Sequence, residues 1–263
     1  MVGAEGEQTG ASKVTILKLL TDAGAACLSY QRSAFVNLTC RLVQCDEIWS
    51  FVGAKERNIP RDEKGCGRGD VWIWTAIDAD TKLVPCWHIG ARDADAAGLF
   101  MEDLASRLAG RVQLTTDGPS VYRAAVASAF GWDGVDYATL VKVYGQSIEG
   151  TAHYSPPQIV GVEKHHQLGM PDPAHVSTSY VERQNLTMRM NVRRLTRLTN
   201  GLSKKLKNQG HAVALHYMYY NYCRKHATLT KAARGVHTTP AMAAGLRDHL
   251  WTLAAVVGLL GDG

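Results

Sequence analysis

Apolar residues at Val14, Leu17, Leu20, Cys27 and Leu28 recur at helical spacing behind Ser12, a residue suited to an N-cap. This spacing predicts a helix over about residues 13–30. The period then changes. Residues 41–52 are rich in apolar and β-branched side chains, and 71–77 followed by 82–89 reads as a hairpin turning at Asp78-Ala79-Asp80-Thr81. The intervening 53–70 mixes charge with Pro60, Gly65, Gly67 and Gly69 and is expected to be a loop. From Asp93, the positions Leu99, Phe100, Leu104 and Leu108 mark an amphipathic helix ending at Gly110, and 112–116 forms a short strand closed by Asp117-Gly118-Pro119. A helix over 122–130 and a strand over 135–143 follow. Four prolines and clustered histidines make 144–175 an inserted loop. A long helix should start at Ser177 or Thr178 and run past Arg197, with Val181, Asn185, Met188, Val192 and Leu195 on one face, and a last one spans about 211–225. The order β-β-β-α-β-α-β-loop-α predicts an α/β fold, with an antiparallel hairpin leading into crossover connections.

Composition narrows the class. With 263 residues, 46% hydrophobic and 20% charged, the chain suits one large domain with a small appendage. The longest apolar run near the end, 250–260, is shorter than the roughly 20 residues of a membrane span, and the start has no basic segment leading into an apolar one. A cytoplasmic protein without membrane contact is expected. Six cysteines, at 27, 40, 45, 66, 86 and 223, lack close C-x-x-C pairing and read as reduced thiols. The net charge of +5 is modest but unevenly placed. Between 183 and 207 stand Arg183, Arg189, Arg193, Arg194, Arg197, Lys204, Lys205 and Lys207 with no acid among them, a pattern that fits a polyanionic partner.

Three acids carry the candidate chemistry. Asp117 at a strand end, followed by glycine, has a turn residue as its ordinary role, and Glu182 in the first turns of a helix ordinarily complements the dipole. Asp46 is harder to explain, because it lies inside the β-rich stretch 42–49, where an unpaired buried charge costs several kcal/mol; it calls for a cation. Strand alternation sends neighbouring Glu47 to the opposite face, so that one of the two is expected to serve the site.

These residues resemble a known family, the DDE transposases, and within it the insertion sequence one type. The resemblance rests on Gln44-Cys45-Asp46-Glu47-Ile48-Trp49-Ser50-Phe51-Val52, on Thr115-Thr116-Asp117-Gly118 and on Ser179-Tyr180-Val181-Glu182-Arg183-Gln184-Asn185-Leu186. It extends to Tyr220-Asn221 with Arg224 and His226, and to Thr239-Pro240-Ala241-Met242, covering about residues 30–250. It implies an RNase H-like mixed sheet flanked by helices, and catalysis by Asp46, Asp117 and Glu182 with two Mg²⁺ ions, Mn²⁺ substituting. Asp46 would bridge both metals and each of the other acids would complete one. Such a pair of ions, roughly 4 Å apart, supplies an activated nucleophile and relieves charge on the leaving oxygen. The reaction implied is cleavage and strand transfer of DNA element ends by a homo-oligomer assembled on DNA, in a bacterial, nucleoid-associated setting. Glu149, 32 residues after Asp117, and Glu163 are rivals for the third acid; the rigidity of a helix and the Glu-Arg-x-Asn context favour Glu182.

Asn185, Arg189 and Arg193, at helical steps from Glu182, could line a phosphate track together with Arg183, Arg194, Arg197, Lys204 and Lys205. His153, His165, His166 and His175 read as loop histidines or DNA contacts rather than zinc ligands, and Tyr217, Tyr219, Tyr220, Tyr222, Trp49, Trp72 and Trp74 as packing residues. The expected organisation is a flexible start with a partial helix-turn-helix remnant over 1–39, the catalytic domain over 40–230 with its loop at about 144–175, and a C-terminal tail over 231–263. Residues 11–20 resemble only the recognition helix of a helix-turn-helix, so a truncated copy with weak preference for element ends is expected. A metal-dependent nuclease on the same core, and a non-catalytic DNA-binding descendant of a transposase, are the other readings.

Overall fold

The structure is a computed structural model, and it describes residues 10–63, 67–118, 120–145, 158–196 and 199–261. Helix α1 (Lys13–Ala34) begins where Ser12 accepts a hydrogen bond from the Thr15 amide, and leads to β1 (Leu42–Val52), β2 (Gly69–Asp78) and β3 (Trp87–Gly90). Helix α2 (Ala94–Arg107), capped by Asp93, is followed by β4 (Val112–Thr116), α3 (Val121–Phe130), β5 (Val135–Tyr144) and β6 (Ile159–Leu168). Helices α4 (Ser179–Asn191) and α5 (Leu206–Met218), a π-helical turn (Tyr219–Cys223) and the short α6 (Ala227–Ala232), α7 (Pro240–Ala243) and α8 (Leu253–Gly258) complete the chain.

The six strands form one mixed sheet in the order β3-β2-β1-β4-β5-β6. The β1–β2, β2–β3 and β5–β6 pairs are antiparallel, whereas β1–β4 and β4–β5 are parallel. Alternation along β1 and β2 separates two apolar layers. Val43, Cys45, Trp74 and Ala76 join Phe100, Met101 and Leu104 of α2 and Tyr122 of α3. Ile48, Ile73 and Ile77 lie against Val181 and Met188 of α4 and Val213 and Tyr217 of α5. The chain is thus an α/β protein with helices on both faces of its sheet. Among the described residues no helix is long and apolar enough to cross a membrane.

The last long helix starts at Leu206 rather than about 211 and gives way to a π-helical turn at Tyr219, and four further elements differ from the sequence pattern. Part of the expected loop at 144–175 is β6, an edge strand on which Ile159, Val160 and Val162 are half or more exposed. With both faces wet there is no alternation to read. The hairpin's second strand is confined to four residues. Pro85 has no amide to donate, and the Val84 amide and carbonyl are both taken by the Asn221 side chain, each at 3.0 Å. Helix α2 stops at Arg107 rather than Gly110, because the Arg107 carbonyl accepts from the Leu38 amide at 2.8 Å and Leu108 forms a bridge with Leu38. Helix α4 ends at Asn191 instead of continuing past Arg197. Val192 leaves the helical region, and a 3-10 turn (Arg193–Leu195) buries Leu195 while Arg189 donates to the Leu195 carbonyl at 3.2 Å.

The two ends of the chain are built into the main core. Cys27, Phe35, Leu38 and Cys40 from the start, and Ala241 and Val256 from the tail, belong to the same buried cluster as the sheet. Helix α1 lies close along α5: a Cβ at Gly24 would fall 2.4 Å from the His211 carbonyl oxygen, and Gln31 donates to the Ala214 carbonyl at 2.9 Å. The first turns of α1 are open, with Val14, Leu17, Leu19 and Leu20 exposed.

Candidate metal centre

The pairing of β1 with β4 brings two of the acids together. The last parallel rung is Cys45–Thr116, so Asp46 and Asp117 each stand one residue beyond it, side by side at the carboxyl end of β4. Gly118 there has φ +98°, a left-handed conformation that lets the chain leave the sheet at once. Among the described residues, β4 pairs with β1 no further than Cys45, and the next parallel bridge to β1 is that of Val52 with Ser203. Glu47 points to the other face, yet its carboxylate lies near the pair. One ligand oxygen each from Asp46, Glu47 and Asp117 lies within 4.8 Å of the other two. The expectation that only one of Asp46 and Glu47 can serve the site does not match the geometry: alternation sends the two side chains to opposite faces, yet a carboxylate oxygen of each still lies within 4.8 Å of the other and of Asp117.

Helix α4 closes the site from the side of Asp46. The Asn185 amide donates to Asp46 Oδ2 at 2.8 Å, and the Glu47 backbone amide donates to Asp46 Oδ1 at 2.8 Å. On the opposite side, Arg92 donates to Glu47 Oε1 at 3.0 Å and lies over the Trp72 ring at 4.7 Å. Asp46, Glu47, Glu182, Asn185 and Arg189 line a shallow cavity of about 440 Å³. A larger cavity of about 860 Å³ between α1, β3, α2 and α5 contains none of these residues.

Electrostatics mark the cluster as short of positive charge. Burial raises the Asp46 pKa to about 7, helped by the charge of Asp117, against the lowering effect of the Glu47 amide and Asn185. Asp117 is raised to about 6 by burial and then by Glu47, with Arg92 opposing. Glu47 is raised by burial, although Arg92 pulls it down. Among the described residues, Asp117 Oδ1, Glu47 Oε2 and Asn185 Oδ1 are buried acceptors with no hydrogen-bond partner in the protein. Unpaired oxygens around mutually repelling carboxylates could hold a hard divalent cation such as Mg²⁺ or Mn²⁺. Adjacent Cys45 is fully buried and its thiol is held neutral by that burial, so it is not a nucleophile.

Glu182 faces the same cavity, and its charge adds to the rise of Asp46, but its carboxylate is outside the close trio. Its Oε1 accepts from the Thr178 hydroxyl at 2.5 Å and its Oε2 from Lys142 of β5. Of its rivals, Glu163 on β6 has its carboxylate 3.3 Å from His165 Nε2, and Glu149 lies outside the described residues.

The basic residues divide. Arg183, Arg193, Lys204, Lys205 and Lys207 are exposed. Arg194 is half-buried and donates to the Ser203 hydroxyl and the Asn208 carbonyl at 3.0 and 3.1 Å, which leaves it less free for a polyanion, and Arg189 donates to the carbonyls of Leu195 and Trp49. Arg197 lies outside the described residues. Of the histidines, His165, His166 and His175 each have a local partner, namely Glu163, the Gly169 carbonyl and Asp172, and His153 lies outside the described residues. Tyr217, Tyr220, Tyr222 and Trp74 are core residues, whereas Tyr219 is 42% exposed.

Glu47 and Lys142, like Arg92 and Thr178, were not among the site residues expected from the sequence. The charge of Glu47 was legible, but its approach to the pair was not. Lys142 has no local signal at all. No protein-family model matches the chain, and no curated protein matches it.

Proposed function

We propose that the chain is a DNA transposase of the DDE type, an RNase H-like enzyme that cleaves and rejoins phosphodiester bonds with divalent metal ions. The observation that carries this reading is the close trio of Asp46, Glu47 and Asp117, raised in pKa and bordered by unpaired acceptors. Glu182 lines the same cavity as Asp46 and Glu47, as a further carboxylate. Asp46 and Asp117 are the central ligands, and Glu182 and Glu47 are the candidates to complete the shell. When bound, the metal ions supply an activated nucleophile and neutralise the leaving oxygen.

The chain's own residues do the rest. Asn185 and the Glu47 amide fix the Asp46 carboxylate at two hydrogen bonds, so that its oxygens are oriented before any ligand arrives. Exposed Arg183, Arg193, Lys204, Lys205 and Lys207 supply positive charge for the backbone of DNA, a role that positions the duplex without reading its sequence.

A joining assay separates a transposase from a nuclease on the same core. Given a pre-nicked element end with a free 3′-OH and a supercoiled target, in Mg²⁺ or Mn²⁺, the chain is expected to give covalent end-to-target products. Cleavage of the target without any joined product would show a nuclease instead.

A further inference from the structure

We propose that Lys142 is a stand-in cation, which holds the Glu182 carboxylate in the metal-free protein and is displaced when a divalent ion enters. The inference rests on the reading of Glu182 as a metal ligand, and adds to it a device that sets metal affinity.

Alternation along β5 places Lys142 on the side of Ala138 and Leu140, which pack with Val176 just before α4. From there its ammonium reaches Glu182 Oε2, forty residues further along the chain. Thr178 donates to the other oxygen, so both oxygens of Glu182 are occupied. The contrast with the neighbouring acids is direct: Asp117 and Glu47 each keep one buried oxygen without a partner. The site therefore holds its unpaired acceptors around the trio, and Lys142 stands at the acid that is outside it.

The pair is suited to exchange. The side chains of Lys142 and Glu182 are 27% and 36% exposed, so solvent screens their attraction, and a pair this open contributes a factor of about 1.5 to 5 in an equilibrium. A lysine suits this role better than an arginine, because its ammonium is a point charge on a flexible stem without a bidentate hold on the carboxylate. A divalent ion with Asp46 and Asp117 already in place competes for Glu182 with more charge, and the ammonium returns to water.

Removing Lys142 should therefore tighten metal binding, and only when Glu182 can accept the ion. The test titrates Mn²⁺ into the DNA-free protein and reads free Mn²⁺ by electron paramagnetic resonance for wild type, Lys142→Met, Glu182→Gln, the double variant and Asp46→Asn. Lys142→Gln serves as a second neutral replacement should the methionine perturb folding. Lys142→Met is expected to bind Mn²⁺ about 2- to 5-fold more tightly than wild type, Glu182→Gln more weakly, and the double variant like Glu182→Gln alone. An unchanged or weaker affinity in both Lys142 variants would overturn the proposal. So would an equal tightening in the Glu182→Gln background, since that would be a general charge effect on the acids. Mn²⁺ binding that is absent from wild type, or indifferent to Asp46→Asn, would instead remove the metal reading itself.

Discussion

Asp46 carries a carboxylate into a strand whose neighbours keep most of the water away, and the cost appears as a raised pKa. Because its folded value of about 7 lies above the ordinary 3.8, the metal-free native state keeps a proton that the unfolded chain has already released between about pH 4 and 7. Stability of the metal-free protein should fall as pH rises through that window. Asp46→Asn removes the charge and keeps the shape, so it should be more stable than wild type at pH 8 by on the order of 1–2 kcal/mol, a figure reduced for solvent screening from ~1.4 kcal/mol per pKa unit. The two should converge near pH 4. Urea unfolding in a chelator at both pH values measures this, and a variant less stable than wild type at pH 8 would contradict it. At this scale Asp46 was legible because an acid in an apolar strand is anomalous by itself. Glu47 and Lys142 were not, since alternation sends the first to the opposite face from Asp46 and the second lies forty residues along the chain from its partner.

The elements were most legible where one face is buried and the other is wet. Helices α1 and α3 fall within a few residues of the boundaries that hydrophobic spacing gives, while β4, buried on both faces, was marked by the turn residues that flank it. Strand β6 failed for the opposite reason, being exposed along nearly its whole length. The second arm of the hairpin failed because a side chain took over the backbone's role. The Asn221 amide meets both polar groups of Val84 as a pairing strand would, from a π-helical turn that no periodicity announces. Asn221→Ala should leave a buried amide and carbonyl unpaired, at about 1–3 kcal/mol each, and so destabilise by roughly 2–6 kcal/mol. A change in the unfolding free energy below about 0.5 kcal/mol would show that water or a backbone shift replaces the side chain. Helix α4 ended early because burying Leu195 requires a turn, a tertiary demand that outweighs the local helical pattern.

In the whole molecule, parallel β1 and β4 bring their acids together at one end of the sheet, and α4 lays Glu182, Asn185 and Arg189 over that end. The sequence offered Asp46 and Asp117 as acids that could converge, and the parallel pairing of β1 with β4 sets these two side by side. The details, a trio with Glu47 inside and Glu182 held by Lys142, required the folded chain. The basic residues at Arg183, Arg193, Lys204, Lys205 and Lys207 stay in solvent on or after the same helix, so an acidic centre and a positive surface share one region of the chain. This combination suits the handling of a polyanion at a metal centre. The most direct test of that claim is nicking of a supercoiled plasmid by wild type, Asp46→Asn and Asp117→Asn in Mg²⁺, in Mn²⁺ and in chelator. Nicking is expected from wild type with either metal and not in chelator, with a loss of at least about 100-fold in both variants while their circular dichroism stays that of wild type. Nicking that persists in chelator, or in folded Asp46→Asn, would contradict a metal-dependent reaction at this cluster.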